Sequence, residues 1–247
     1  MYDVGTRERA LALVAQGRSL NSVSRETGIS RAAIRSWQVR LQPRARPAAP
    51  EPGPPPDEQA YAYLLGLYLG DGCISTHRRG GHYLRIACTA SWPGLIDACE
   101  AALRAVSPTG RSYRVPARGY VSVVGYSPHW PRLFPQAGPG KKHERPIVLA
   151  SWQQAIVDEH PWEFVRGLVH SDGCRVTNRT TRLVGGERKL YAYPRYFFTN
   201  HSADIIRLFT RTLDRVGVEW RRTNARTVSI ARRASVALMD AHVGPKY

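Results

Sequence analysis

Residues 63–73 read YLLGLYLGDGC, an apolar run with two small residues that ends in an acid followed by glycine, and residues 164–174 repeat the pattern as FVRGLVHSDGC. The spacing of the apolar positions predicts a helix in each copy, with Asp71 and Asp172 in its last turn. The last turn of a helix carries partial negative charge, which makes it an unfavourable place for a carboxylate. Two acids in such matched positions therefore need an explanation.

Small residues four positions apart indicate how the two helices meet. Gly66 and Gly70 share one face of the first helix, and Gly167 and Ser171 share the corresponding face of the second. Small side chains at this spacing allow two helix backbones to approach closely. We therefore predict that these four residues form a helix interface, which places the two acids side by side.

The paired acids predict a metal site. Like charges raise each other's pKa unless a cation lies between them. Carboxylates of Asp71 and Asp172, with backbone oxygens of Gly70 and Ser171, are the ligands that Mg²⁺ or another hard divalent cation prefers. Such a site beside a phosphodiester suits metal-assisted hydrolysis, so both acids are candidate catalytic residues. The alternative is that each Asp-Gly pair only ends a helix, its glycine acting as a left-handed cap.

The charge balance indicates the partner. The 247 residues include 36 Lys and Arg against 19 Asp and Glu, a formal charge of +17. A basic chain gains affinity for nucleic acid because each neutralised phosphate releases condensed counterions. We predict double-stranded DNA as the partner, and no membrane association because no apolar run reaches the ~20 residues of a membrane span. No signal-peptide core is present in the first residues, so a cytoplasmic, nucleoid-associated protein is expected.

The sequence predicts a small module, a tether and a duplicated body. Residues 1–40 read as three short helices with a turn at Gly28, typical of a helix-turn-helix DNA-binding domain; a plain three-helix bundle is the alternative. Residues 41–57 contain seven prolines and predict a linker. Residues 58–150 and 151–247 each predict a helix, a hairpin, an amphipathic helix and a second hairpin. The body is therefore an α+β monomer with internal pseudo-twofold symmetry.

Basic and aromatic side chains at alternating strand positions, and on the third helix, are the predicted DNA contacts. They are Arg31, Arg35 and Gln38 in the N-terminal module, Tyr83, Arg85, Arg111 and Arg114 in the first half, and Arg175, Thr177, Arg179, Tyr193, Arg195, Arg221 and Arg222 in the second half.

The duplicated motif, LLGLYLGDG and VRGLVHSDG, resembles the paired signature helices of the LAGLIDADG homing endonucleases in their single-chain form. The resemblance covers residues 58–247 and implies two αββαββα halves, with the signature helices at their interface and strands in the DNA major groove. It implies that Asp71 and Asp172 are the catalytic acids. It also implies a basic residue beyond the last strand of each half, which falls on Lys141 or Lys142 and on Lys246.

Two departures from the family pattern keep a second function class open. The sixth motif position, an acid in the family's name, is Leu69 in one copy and His170 in the other. The N-terminal module is also foreign to the minimal family enzyme. The alternative to a metal-dependent endonuclease is therefore a transcriptional regulator that retains the fold for DNA binding without cleavage, as in regulators with a LAGLIDADG-like domain. RNA splicing assistance of the maturase type shares the same fold.

Overall fold

The computed structural model describes residues 2–42, 54–77, 80–244 and 246–247. The chain divides into two units, Met1–Pro50 and Glu51–Tyr247. The proline-rich linker predicted at 41–57 lies largely outside the described residues. Within the described part of the chain, no helix is both long and apolar enough to cross a membrane.

The first unit is a bundle of three short helices. Each helix begins at a capping side chain, since Asp3, Ser19 and Ser30 accept backbone N–H groups of the first turns. Gly28 ends the second helix in the left-handed conformation, at φ 67°. The small core packs around Trp37. The three predicted helices are confirmed: α1 (Val4–Ala15), α2 (Leu20–Thr27) and α3 (Arg31–Val39).

The second unit contains the same order of elements twice. The first repeat contains α4 (Glu58–Asp71), β1 (Gly72–Thr76), β2 (His82–Thr89), α5 (Pro93–Val106), β3 (Arg111–Ala117), β4 (Tyr120–Ser127) and α6 (Trp130–Leu133), followed by a 3-10 turn at Lys142–Glu144. A connecting helix precedes the second repeat: α7 (Ser151–Glu159), then α8 (Pro161–Asp172), β5 (Gly173–Val184), β6 (Glu187–Thr199), α9 (Ala203–Arg215), β7 (Arg221–Asn224), β8 (Thr227–Ile230) and α10 (Arg233–His242).

The two sheets have matching topology. Both are antiparallel, with strand orders β1-β2-β4-β3 and β5-β6-β8-β7. One face of each sheet packs on helices, as shown by buried Leu84 and Ile86 in β2 and buried Tyr196 and Phe198 in β6. We call the other face of each sheet its open face. The α+β class and the duplicated αββαββα order that the resemblance implied are confirmed.

The signature helices α4 and α8 pack backbone against backbone. A Cβ added to Gly66 would lie 2.6 Å from the Phe164 carbonyl oxygen. A Cβ added to Gly167 would collide with the Tyr63 carbonyl oxygen and lie 3.0 Å from the Gly66 Cα. Helix α4 is buried along most of its length, which explains why it is apolar on all sides rather than amphipathic. The glycines therefore set the distance between the two repeats.

Neither signature helix ends in a left-handed cap. Gly72 has φ −93° and Gly173 has φ −104°, both extended, so the chain passes directly from helix into strand. Glycine is needed there for space instead, because an added Cβ would lie 2.5 Å from the Tyr68 Cα in one copy and 2.8 Å from the Val169 Cα in the other. Each Asp-Gly pair does end a helix, but the left-handed glycine caps expected in the helix-stop alternative are wrong.

Candidate functional site

The two acids meet where the signature helices end. Asp71 is the last residue of α4, and Asp172 is the last residue of α8. Gly70 has no side chain, and the position of its missing Cβ lies 2.8 Å from the Asp172 Oδ2 and in contact with the Ser171 side chain. The close packing of small residues therefore brings the ends of the two helices, and their acids, into one site.

Burial raises the pKa values of both acids, and the charge of Asp172 adds to this effect at Asp71. Burial, followed by the charge of Asp172, raises the pKa of Asp71 to about 6 against the opposing effect of Lys246 and Lys142. The pKa of Asp172 is also raised, because burial outweighs the opposing effect of a hydrogen bond from the Asn200 Nδ2 to its Oδ2, at 2.7 Å. The site therefore concentrates negative charge in partly desolvated surroundings, a state that a bound cation relieves.

The acids are not equivalent, because Asn200 has no counterpart in the first repeat. Asn200 follows the last residue of β6, and its backbone N–H donates to the Arg226 carbonyl. Ala90 follows the last residue of β2, and its N–H donates to the Gly119 carbonyl in the same way. A methyl group at Ala90 cannot donate a hydrogen bond, so among the described residues a side-chain amide orients the acid of the second repeat only.

Two lysines lie at the same helix ends. The Lys142 ammonium donates to the carbonyls of Tyr68 and Gly70, the latter at 3.1 Å. Burial lowers its pKa to about 8, while the nearby acids oppose this shift. The Lys246 ammonium donates to the Ser171 carbonyl at 3.1 Å, and burial lowers its pKa as well. Each lysine thus contacts the signature helix of its own repeat, next to the acid.

Lys141 lies apart from this arrangement. Its side chain is 73% exposed and pairs with Glu144 at 3.6 Å. Of the two neighbouring lysines that the sequence offered for the first repeat, the structure brings Lys142 to the acids.

A cavity of about 360 Å³ opens beside the acid of the second repeat. Lys142, Asp172 and Asn200 line it, together with His143 and His201, whose rings lie 5.4 Å apart. Sequence reasoning missed Asn200 and both histidines. The only available signal was their position just beyond a strand or a glycine-rich turn, which many surface residues share.

The donor set fits a hard divalent cation. The site offers the carboxylates of Asp71 and Asp172 and the carbonyl oxygens of Gly70 and Ser171, all oxygen ligands. Both carbonyls already accept an ammonium group, and both acids have raised pKa values. These features show that the helix ends attract positive charge.

A second cluster of potential metal ligands lies elsewhere. Among the described residues, Glu58, Glu159 and His160 have ligand atoms within 4.8 Å of one another. Glu58 begins α4 and Asp71 ends it, so this cluster lies roughly 20 Å along the helix from the acid pair.

The motif position of His170 is buried in the helix interface. Its Nδ1 lies 2.9 Å from the Tyr63 hydroxyl of the opposite signature helix. Burial lowers the pKa of His170 to about 4, so the ring is neutral at neutral pH. Its Nε2 is buried without a hydrogen-bond partner among the described residues.

The arginines predicted to contact DNA in the first repeat divide between the open face and the helix-facing side of the first sheet. Buried Leu84 and Ile86 face the helices, so the intervening Tyr83 and Arg85 lie on the open face. Arg111 pairs with Tyr126, which pairs with Tyr83, and so shares that face. Arg114 lies on the opposite face, where it forms ion pairs with Asp97 and Glu100 of α5, at 2.7 Å and 2.6 Å.

The second sheet shows the same division. Tyr193 and Arg195 alternate with the helix-facing Tyr196 and Phe198, and Arg221 is opposite Ser229 on the same open face. The Arg195 guanidinium lies 5.3 Å from the Phe197 ring centroid, and its Nε is buried without a partner among the described residues. By register, Arg175, Thr177, Arg179 and Arg222 belong to the helix-facing side.

Strands β5 and β6 extend far beyond their sheet. Strand β6 pairs with β8 only along Tyr196–Thr199, whereas β2 pairs with β4 along His82–Thr89. Residues 177–194 therefore form a two-stranded ribbon, which we call the arm, closed by a turn at Gly185 and Gly186 with φ values of 62° and 85°. The arm has four basic residues and one acid: Arg179, Arg182, Arg188, Lys189 and Glu187.

Arg175 is ion-paired at the base of this arm. Its Nε donates to an Asp240 carboxylate oxygen at 2.7 Å, and the Tyr196 hydroxyl donates to the same oxygen at 2.7 Å. These hydrogen bonds, the one from Arg175 first, hold the pKa of Asp240 below its usual value of 3.8. Asp240 of α10 is therefore bound to both β5 and β6 of the second sheet.

We expect Asp240→Asn to reduce the free energy of unfolding by about 1 kcal/mol at pH 7. Because the folded pKa is depressed, the stabilisation is present above the unfolded value near 3.8 and is lost as the pH falls through the folded pKa. Urea unfolding between pH 7 and pH 3 should show the difference from the wild type shrinking. Glu187→Gln, at the exposed tip of the arm, is the control; an Asp240→Asn deficit that does not change with pH would contradict the ion-pair account.

In the first unit, the predicted contacts lie on one helix. Arg31, Arg35 and Gln38 are exposed on α3. The Arg31 guanidinium donates to the Asn21 side chain of α2 at 2.9 Å. The three side chains are therefore accessible to a partner.

Comparisons with known proteins give matches among solved structures. No family model and no curated protein matches the sequence. The chain is similar to mesophilic variants of the homing endonuclease I-DmoI, with 14% identity and a TM-score of 0.48 over 75% of this chain and 96% of that one. It is similar to the LAGLIDADG meganuclease I-AabMI bound to uncleaved DNA, with 11% identity and a TM-score of 0.46 over 74% and 83%. It is also similar to the N-terminal LAGLIDADG domain of DUF199/WhiA, with 10% identity and a TM-score of 0.44 over 81% and 86%.

Proposed function

We propose that this chain binds double-stranded DNA sequence-specifically and hydrolyses its phosphodiester bonds with a divalent cation, Mg²⁺ or a similar hard ion. The observation that carries the proposal is the pair of acids at the ends of α4 and α8, each accompanied by a lysine. Acids that share a site and seek a cation, in a chain of charge +17, suit a phosphodiester substrate better than any neutral one.

Binding is assigned to the open faces of the two sheets. Tyr83 and Arg85 on the first sheet match Tyr193 and Arg195 on the second, and Arg111 and Arg221 lie on the same two open faces at different register positions. A Tyr-x-Arg at the same distance from the end of β2 and of β6 gives each half the same donor and aromatic groups. Arg114 and Arg175 are engaged with acids on the other face, so we leave them out of the proposed interface.

The N-terminal unit is proposed as a second DNA-binding module. Helices α2 and α3, joined at Gly28, would form a helix-turn-helix in which α3 presents Arg31, Arg35 and Gln38 to the major groove. Guanidinium and amide groups are suited to reading base edges there. The proposed chain therefore consists of this module at 1–40, a linker at 41–57 and two repeats at 58–150 and 151–247.

In the proposed reaction, Asp71 and Asp172 would hold the cation, with the carbonyls of Gly70 and Ser171 available beside them. A bound divalent ion supplies an activated water and stabilises the leaving oxygen. The chain's own groups act around it: Lys142 and Lys246 would move from the helix carbonyls toward the negative charge of the scissile phosphate, and Asn200 keeps the Asp172 carboxylate oriented.

One observation favours the alternative, a DNA-binding regulator without cleavage. The ammonium groups of Lys142 and Lys246 occupy the very carbonyls that a cation would use, so two lysines already balance two acids. A fold that is electrostatically complete without metal could bind DNA and leave it intact.

The experiment that separates the two functions is a cleavage assay on a selected site. A duplex bound by the protein is first isolated from a randomised pool in Ca²⁺, and it is then incubated with the protein in Mg²⁺. Scission of the isolated duplex is the expected result. Tight binding with no scission in Mg²⁺ or Mn²⁺ would replace the endonuclease by the regulator.

The arm is expected to contact DNA beyond the second half of the site, because a two-stranded ribbon fits the major groove. We expect Arg182→Ala, Arg188→Ala and Lys189→Ala together to remove footprint protection at one end of the duplex only. The slope of log affinity against log salt should fall by about 2 to 3, close to one unit for each lost phosphate contact.

A charge-matched control isolates the effect of the arm. Arg104→Ala, Arg211→Ala and Arg215→Ala together remove the same charge from exposed positions on α5 and α9, on the helix side. This control should keep the complete footprint. Equal effects of the two triple variants would show that the arm acts only through net charge.

A further inference from the structure

We propose that Tyr247 is a positioning residue that reaches from the second repeat to the first and holds Lys246 at the acid pair. Its ring rests on Gly94, at the start of α5, and its backbone is hydrogen-bonded to the same turn. This inference rests on the proposed function for its catalytic meaning, although the contact itself can be tested without any activity.

The contact joins the two repeats. The segment after α10 turns at Gly244, which has φ 69°. The Leu95 N–H then donates to the Tyr247 carbonyl oxygen at 3.2 Å. Leu95 lies in the first turn of α5, whose N–H groups lack intrahelical partners, so this bond satisfies one of them. Residues 246–247 are thereby tied to an element of the first repeat.

Glycine at position 94 makes room for the Tyr247 ring. A Cβ added to Gly94 would touch three atoms of that ring, with its Cζ at 2.8 Å. The nearest atoms are all from this one side chain, so the ring occupies the space that a larger residue would fill. Any side chain at position 94 would displace Tyr247.

The position of the Lys246 ammonium is held by fewer contacts than that of Lys142, so it depends on the Tyr247 anchor. Lys142 begins a 3-10 turn, donates to two carbonyls, and has its ammonium 4.8 Å from the Tyr68 ring centroid. Lys246 donates to the Ser171 carbonyl from a segment that follows the last helix. A long lysine side chain keeps one geometry only when its own backbone is fixed, and Tyr247 is the neighbouring anchor.

The test measures the accessibility of the Lys246 amine by acetylation and mass spectrometry. The chain has only four lysines, so each one can be followed separately, with exposed Lys189 as the internal reference. Tyr247→Ala and Gly94→Val should each speed acetylation of Lys246 about tenfold, the change that a loss of ~1.4 kcal/mol gives. Acetylation of Lys142 should not change, and Tyr247→Phe, which retains the ring, should behave as the wild type.

Cleavage then tests the catalytic meaning. On a selected duplex in Mg²⁺, Tyr247→Ala should lower kcat by about 10²-fold and leave the affinity for DNA unchanged, since a displaced catalytic group costs rate rather than binding. In a Lys246→Met background it should cause no further loss.

The outcomes distinguish the two proposals. An unchanged Lys246 acetylation rate in Tyr247→Ala, or an equal rise at Lys142, overturns the positioning role. A faster acetylation of Lys246 alone in Tyr247→Ala supports the positioning role. If the wild-type protein at the same time cuts no duplex, the positioning role stands and the endonuclease is rejected.

Discussion

Asp71→Asn is expected to reduce strand scission in Mg²⁺ by at least about 10³-fold, the scale of loss when an essential catalytic group is removed. The amide keeps the size of the carboxylate but cannot supply the charge that holds a divalent ion. Affinity for the duplex should be unchanged or tighter, because one negative charge facing the phosphates is removed. Cleavage and filter binding on the same selected duplex measure both effects.

The fold should tolerate this substitution. Burial and Asp172 raise the pKa of Asp71 to about 6, so ionisation of Asp71 opposes folding, and this cost grows as the pH rises from about 4 through about 6. Asp71→Asn abolishes that cost, so the variant should melt at or above the wild-type temperature at pH 8, with a smaller difference at pH 4.

Asp97→Asn is the matched control for the loss of one charge, since Asp97 lies on the helix side of the first repeat and is 67% exposed. It should cut DNA as the wild type does. An Asp71→Asn protein that cuts normally would reject the catalytic role, and one that unfolds would show that the acid is structural.

Gly167→Ala is expected to reduce the free energy of unfolding of the duplicated unit by about 3 kcal/mol, the upper end of ordinary overpacking effects. The added methyl group would collide with the Tyr63 carbonyl and lie 3.0 Å from the Gly66 Cα, which are both backbone groups of the opposite helix. Neither can move away without separating α4 from α8. Urea unfolding should report the loss, and cleavage should fall because the acids move apart.

Gly94→Ala is the control for the stability effect of this substitution in the same unit, and not for its effect on cleavage, because a side chain at position 94 displaces Tyr247. Gly94 is also a helical glycine, but the three atoms nearest to its added Cβ all belong to the Tyr247 side chain, which can move. Its stability should change little, because alanine also favours a helix by up to about 1 kcal/mol over glycine. If both variants lose equal stability, the close approach of the signature helices is not what stabilises the unit.

The sequence was sufficient to predict those features of the fold and the site for which a local pattern allows only one structure. Gly66 and Gly167 predicted that two helices touch, and duplication of the motif predicted that their acids meet. The sequence was insufficient to predict which face of each strand packs on the helices and which face remains open. Alternation places Arg175, Thr177 and Arg179 together, but burial of Tyr196 decides which face packs on helices, and that burial depends on contacts distant in sequence.

Other features depended on tertiary contacts alone. No pattern near Asn200 in the sequence predicts that its amide donates to the carboxylate of Asp172, 28 positions earlier. The choice between Lys141 and Lys142 likewise depends on where a 3-10 turn directs each side chain. The length of the arm follows from where pairing between β6 and β8 stops, which strand propensity does not specify.

The amide at Asn200 and the methyl at Ala90 give the two halves of the proposed site different chemistry. In a duplex, each half would face one strand, so the two strands would meet acids of unequal orientation and basicity. Scission would then proceed as two successive nicks at different rates, with the strand served by Asp172 the more favourably placed. At short times the main product would be a nicked duplex that a ligase can still repair, and the double-strand break would be the slower outcome.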